Sequence, residues 1–125
     1  MTVRAEWHPD GSITLRLPSP PSSNRWWRNW RGRMVKSTEA RVYQAGVAMA
    51  IHRQGGPIRA PQPVSVTIRW YRDRKSGDLD KRVPIILDAL QGIVYDNDAQ
   101  VVELHAYRYD EKPARLEVVV KGLER

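Results

Sequence analysis

Cysteine is absent from the 125 residues, which excludes a disulfide framework, thiolate metal sites, iron–sulfur clusters and cysteine nucleophiles, and suits a reducing compartment. Long apolar runs are absent too. Nothing approaches the roughly 18 residues that a membrane span requires, and the opening MTVRAEWHPDG carries no apolar signal stretch. The expectation is a cytoplasmic protein with no membrane partner. Histidine is scarce, and His8, His52 and His105 lie far apart without metal-ligand spacing. No glycine-rich phosphate loop, G-x-S-x-G or H-E-x-x-H motif occurs, so ATP hydrolysis, acyl transfer and zinc peptidase chemistry have no support.

Acidic side chains are nearly missing from one half. Between residues 11 and 72 the only one is Glu39; residues 1–72 carry 12 basic and 3 acidic side chains (+9), against 9 and 11 (−2) for residues 73–125. The whole chain is at +7, a footprint suited to a polyanion. What is there is enough for one folded domain spanning 1–125: 41% of residues are apolar and 28% charged, sufficient to bury a core at this length.

Ile13, Leu15 and Leu17 alternate with polar residues as in a half-buried strand, which Pro18, Pro20 and Pro21 then end. Residues 22–36, SSNRWWRNWRGRMVK, have no clean period and read as a loop in which Gly32 could turn a short ribbon. Ser37 or Thr38 can cap a helix with apolar stripes Val42, Ala45, Met49 and Tyr43, Val47, Ala50, Ile51, stopped by Gly55, Gly56 and Pro57. Val64 to Trp70 alternate as a second strand running into RDRKSGDLD. Val83, Ile86, Leu87 and Leu90 predict a second helix over about 82–91 closed by Gly92, with Pro84 requiring its N-cap between Asp80 and Val83. Alternating apolar residues at Val102 to Ala106 and Leu116 to Val120 predict a hairpin. The sum is an α+β fold: a small mixed or mostly antiparallel sheet of about four strands with two helices on one face.

Asp78 and Asp80 are the first candidates for chemistry. In an extended segment, residues i and i+2 point the same way, so two carboxylates can converge, and their repulsion is relieved by a hard cation such as Mg²⁺. The plainer reading is turn and N-cap chemistry, which aspartate favours. If the strand after Asp96-Asn97-Asp98 pairs beside the strand leading to Asp78, Asp98 can reach the same sheet edge and three acids share a site. A local turn is again the plainer alternative. Asp88, off the apolar stripe, reads as a surface or supporting acid.

Asn24, Arg25, Trp26, Trp27, Arg28, Arg31, Arg33 and Lys36, with Arg74 and Lys75 beside the acids, are candidates for contact with nucleic acid. Cations meet phosphates, and indoles stack on unpaired bases or wedge a junction. At least one of the indoles in this stretch, which also holds Trp30, is expected in the core instead.

PPSSNRWWR near the start and GDLDKRVPIILDALQGIVYDNDAQV at 77–101 resemble, in order and across most of the chain, the RusA family of Holliday-junction resolvases. The resemblance implies a homodimeric, Mg²⁺-dependent endonuclease that nicks four-way DNA junctions symmetrically in recombination and repair, with Mn²⁺ as a substitute ion and a bacterial or phage origin. It assigns the metal-binding aspartates to Asp78, Asp80 and Asp98. The family's asparagine after D-L-D is Lys81 here, and its helix lysine is Pro84, so Lys81 is the candidate to bring an ammonium to the scissile phosphate. One or two ions per site stay open. A non-catalytic nucleic-acid-binding relative and a basic protein-interaction domain are the competing readings. The nuclease reading requires acids from two separate stretches to meet around one ion.

Overall fold

The most apolar alternating stretch becomes an interior strand, paired along both edges. In the structure, a computed structural model that describes residues 2–56, 60–73 and 77–124, Val64, Val66, Ile68 and Trp70 are buried on one face of a nine-residue strand. The elements in order are β1 (Arg4–Trp7), β2 (Ile13–Leu17), α1 (Ser23–Trp26), β3 (Trp27–Trp30), β4 (Arg33–Lys36), α2 (Thr38–Arg53), β5 (Val64–Arg72), α3 (Leu79–Leu90), a 3₁₀ turn (Asp98–Gln100), β6 (Val101–Asp110) and β7 (Arg115–Gly122). Five strands form one sheet in the order β1-β2-β7-β5-β6, and β3 pairs with β4 as a separate ribbon. All pairings are antiparallel except β5 with β6.

The α+β class and the mostly antiparallel sheet agree with expectation. The strand count does not, because β1 adds an edge and the ribbon a second sheet. The expected 102–120 hairpin is also absent: β5 lies between β6 and β7. The reason is burial. β7 buries Leu116, Val118 and Val120 and so flanks β5, whereas no residue of β6 is fully buried and it takes the edge. β5, α3 and β6 thus form a parallel crossover, a topology that requires a connecting element of about a dozen residues.

Ser37 caps α2 by accepting from the Ala40 amide at 3.0 Å. Of its two apolar stripes only Tyr43, Val47 and Ile51 are buried, together with Ala40 from outside them; Val42 and Met49 face solvent. α3 begins earlier than predicted, with Asp78 as N-cap, so Pro84 sits inside the helix. Having no N–H, Pro84 cannot bond the Asp80 carbonyl, a cost of about 3 kcal/mol. Tertiary anchoring offsets it. Arg82 Nη1 donates to the Pro20 carbonyl at 2.7 Å, and its guanidinium lies 4.5 Å from the centre of the Trp70 ring.

Candidate functional site at the two ends of helix α3

Asp78 and Asp80 sit at the N-terminal end of α3 and are exposed. Asp78 holds the cap position without spending its carboxylate on a cap hydrogen bond. Lys81 Nζ lies 3.8 Å from Asp78 Oδ2, a loose pair between exposed groups that contributes little to stability. No hydrogen bond or ion pair from another described residue occupies the Asp80 carboxylate. The backbone entering this end is fixed by Arg72, whose Nη1 donates to the Gly77 carbonyl at 2.9 Å while its Nε meets Asp110. The hydrogen bond that Arg72 donates to Asp110 raises the Arg72 pKa, and Asp78 adds to the effect. Gly77 has φ +90°, and a Cβ there would come within 3.3 Å of both Arg82 and the Trp70 ring. Glycine adopts that conformation without strain, and any side chain would press on both neighbours.

Asp78 and Lys81 open on a cleft of about 200 Å³ that they share with Gly77, Arg82 and, from the far wall, Ser22, Ser23 and Asn24. The proline segment preceding that wall has few amides of its own to pair, and side chains take its carbonyls: Tyr43 donates to Pro18 at 2.7 Å and Arg82 to Pro20. Burial pushes the Tyr43 pKa up and pulls that of Arg82 down. Arg82 is therefore a structural tie between the wall and the acids. Its residue type gave no hint of this, since a helix arginine usually reads as a solvated charge.

Asp98 is placed at the other end of α3. Its amide donates to Gln91 Oε1 at 3.0 Å, and Gln91 is the C-cap of that helix. Gln100 organises the turn: its Oε1 accepts from the Asp96 and Asn97 amides, and its Nε2 donates to the Ala60 and Gln62 carbonyls. Asp98 is left exposed, with no described partner for its carboxylate. A twelve-residue helix rises about 18 Å, so one chain holds Asp78 and Asp80 far from Asp98. Among the described residues no three His, Asp or Glu gather as a metal-binding group. The expectation that all three acids reach one sheet edge within a chain is thus not met. The strand after Asp98 does pair with β5, but in parallel, from Val64↔Val101 to Arg72↔Asp110, which puts the start of one beside the start of the other.

The stretch read as a loop contains α1 and the ribbon. Arg31 and Gly32, at φ +50° and +76°, make a two-residue turn of the type that suits a twisted hairpin. Trp26 is fully buried, packs edge-on against Tyr43 and donates its indole N–H to Asp88 Oδ2 at 2.9 Å. It is core, so its assignment to DNA contact is corrected. Trp27 packs partly against the core, Lys36 pairs with Asp88 at 3.2 Å, and Arg25 pairs with Glu39. Asp88 thus fastens the ribbon to α3. Asn24, Arg28, Arg31 and Arg33 are exposed, as is Trp30. Arg74 and Lys75 lie outside the described residues.

A carboxylate opening on a cleft, with a second acid two residues on and a cationic, aromatic ribbon following the far wall, is the equipment of a protein that works on a phosphate polymer. The family profile described as Endodeoxyribonuclease RusA matches residues 18–121, and the chain belongs to that family. A crossover junction endodeoxyribonuclease RusA from Escherichia coli strain K12 is 34% identical over 112 residues, covering 87% of this chain and 93% of the relative. The protein of that name from Enterobacteria phage 82 is 35% identical over 109 residues, covering 85% and 91%. One from Shigella sonnei strain Ss046 is 34% identical over 112 residues, covering 87% and 93%. No helix among the described residues is long and apolar enough to cross a membrane.

Proposed function

We propose that residues 1–125 form one structure-selective endodeoxyribonuclease domain that cuts four-way DNA junctions by paired nicks, using Mg²⁺ held by Asp78, Asp80 and Asp98. The observation that carries the reading is the acid pair at the start of α3, of which Asp78 lines a cleft walled by the serine and asparagine segment preceding the cationic ribbon. The donor set fits a hard divalent ion: the Asp78 carboxylate is not used for capping and that of Asp80 has no described partner, and exposed carboxylate oxygens are the ligands such ions take. A bound Mg²⁺ supplies charge relief as negative charge builds on the phosphate during hydrolysis.

The third ligand comes from a second copy. A two-fold axis that sets two α3 helices antiparallel brings Asp98 of the partner subunit to the Asp78 end and builds two equal sites. β6, which begins directly after the Asp98 turn, is an edge strand, and its Val102 and Leu104 are 47% and 44% exposed. Exposed apolar residues on an unpaired edge favour such a partner. Lys81 then steadies the phosphate from outside the acid pair, and Asn24 with Ser22 and Ser23 offers neutral donors to the DNA backbone.

The test compares wild type, Asp80→Asn and Lys81→Ala on a labelled four-way junction with and without Mg²⁺. Wild type should cut only with the ion, Asp80→Asn should bind without cutting, and Lys81→Ala should bind and cut slowly. Junction binding by wild type without cutting at any Mg²⁺ or Mn²⁺ concentration would leave a non-catalytic binding module. Equal cutting by Asp80→Asn would refute the metal assignment.

A further inference from the structure

The ribbon has two unlike faces. Its register pairs Arg28 with Val35 and Trp30 with Arg33 on one face, and Trp27 with Lys36 and Asn29 with Met34 on the other. The second face is docked at its base, through Trp27 on the core and Lys36 on Asp88, while Asn29 and Met34 nearer the turn are exposed. The first therefore presents an indole between two arginines, away from the attachment. A third cation completes it, since the Arg31 guanidinium lies 4.7 Å from the centre of the Trp30 ring. Asn29 Oδ1 accepts from the Gly32 amide at 3.2 Å and steadies the turn that carries Arg31.

Trp30 is 46% exposed, although an indole in a protein interior would be covered as Trp26 is. Among the described residues no carboxylate pairs with Arg28, Arg31 or Arg33. An exposed Arg31–Trp30 contact by itself is worth only about 0.5–1 kcal/mol, too little to explain three unneutralised cations around one aromatic ring. A π-face ringed by guanidinium groups suits a nucleobase flanked by phosphates.

We propose that the tip of the ribbon is a base-stacking site: Trp30 takes an unpaired base at the branch point of the DNA, and Arg28, Arg31 and Arg33 hold the phosphates on either side. The proposal rests on the reading of this chain as a junction nuclease, and it adds the residue by which branched DNA is told from plain duplex. At a branch the base stack is interrupted and the flanking pairs open more readily than within a continuous duplex, so a base can be drawn onto the indole there, whereas phosphates are present in both.

The experiment measures binding in EDTA, where no cutting occurs, of wild type, Trp30→Ala and Trp30→Tyr to a four-way junction and to duplex of equal length. 2-Aminopurine is placed at the branch in one junction and mid-arm in another. Trp30→Ala should bind the junction roughly 5- to 150-fold more weakly, the equivalent of about 1–3 kcal/mol of lost stacking, and duplex about as well as wild type. The branch 2-aminopurine signal on binding should disappear in Trp30→Ala, persist in Trp30→Tyr, and never arise mid-arm. Equal losses on junction and duplex, or no loss on either, would overturn the stacking site while wild type still preferred and cut junctions. A wild type with no junction preference would remove the underlying nuclease reading instead.

Discussion

The proposed division of one site between two subunits has a sharp consequence for mixed dimers of Asp80→Asn and Asp98→Asn. Oxygens sharing one Mg²⁺ stand no more than about 4 Å apart, because each lies about 2.0–2.1 Å from the ion. In a single chain the two acids lie at opposite ends of α3, whose twelve residues span about 18 Å. They can meet only across subunits. Each variant alone then has two defective sites and cuts nothing. In a mixed dimer one site collects both substitutions, and the other joins an intact Asp80 to an intact Asp98. Random exchange of equal amounts makes about half of the dimers mixed, each with one working site, so about a quarter of wild-type sites return. Co-refolded proteins, assayed on a junction labelled on opposing strands, should give single nicks with little paired resolution. A mixture as inactive as its parents would mean that all three acids serve one chain's site, and full activity of Asp98→Asn alone would remove Asp98 from the metal.

Other substitutions test the framework. Trp26→Ala should cost about 3–5 kcal/mol in chemical denaturation, since a fully buried indole leaves a large cavity; Trp26→Phe should cost about 1–2 kcal/mol through the lost donor to Asp88, and a neutral result for both would deny the indole its core role. Pro84→Ala restores an amide opposite the Asp80 carbonyl and should raise the denaturation midpoint, by up to about 3 kcal/mol of helix stability; a lower midpoint would mean that the helix bends there by necessity. Hydrogen bonds from the Ser12 hydroxyl and then its amide hold the Asp10 pKa below the ordinary aspartate value. A lowered folded-state pKa contributes stability above the unfolded-state value, lost as pH falls through the folded-state one. Asp10→Ala should therefore be less stable than wild type at neutral pH, with the gap narrowing in strong acid; a gap independent of pH would assign the effect to packing alone.

Local signals in the sequence located most elements but not their partners. The period of two marked β2, β5, β6 and β7, and the stripe Tyr43, Val47, Ile51 marked α2, because each needs only its own side chains to declare a face. The ribbon was legible only as a possible turn at Gly32, and the four-residue β1 was missed. Pairing direction depends on which strand is apolar enough to be central. β6 and β7 are joined by a short connection and look like a hairpin, yet β5 is inserted between them. That one substitution of neighbours changes the meaning of the acids. Beside an antiparallel neighbour, the chain leaving β5 and the chain entering the next strand would share an edge, and Asp78 and Asp98 would meet within a subunit. Beside a parallel one, α3 must carry the chain back along the whole sheet before β6 can start, and the same two aspartates become the opposite ends of a helix. Residue types and spacing report what the acids can bind; the direction of β6 is the reason the proposed site takes its third acid from a second subunit.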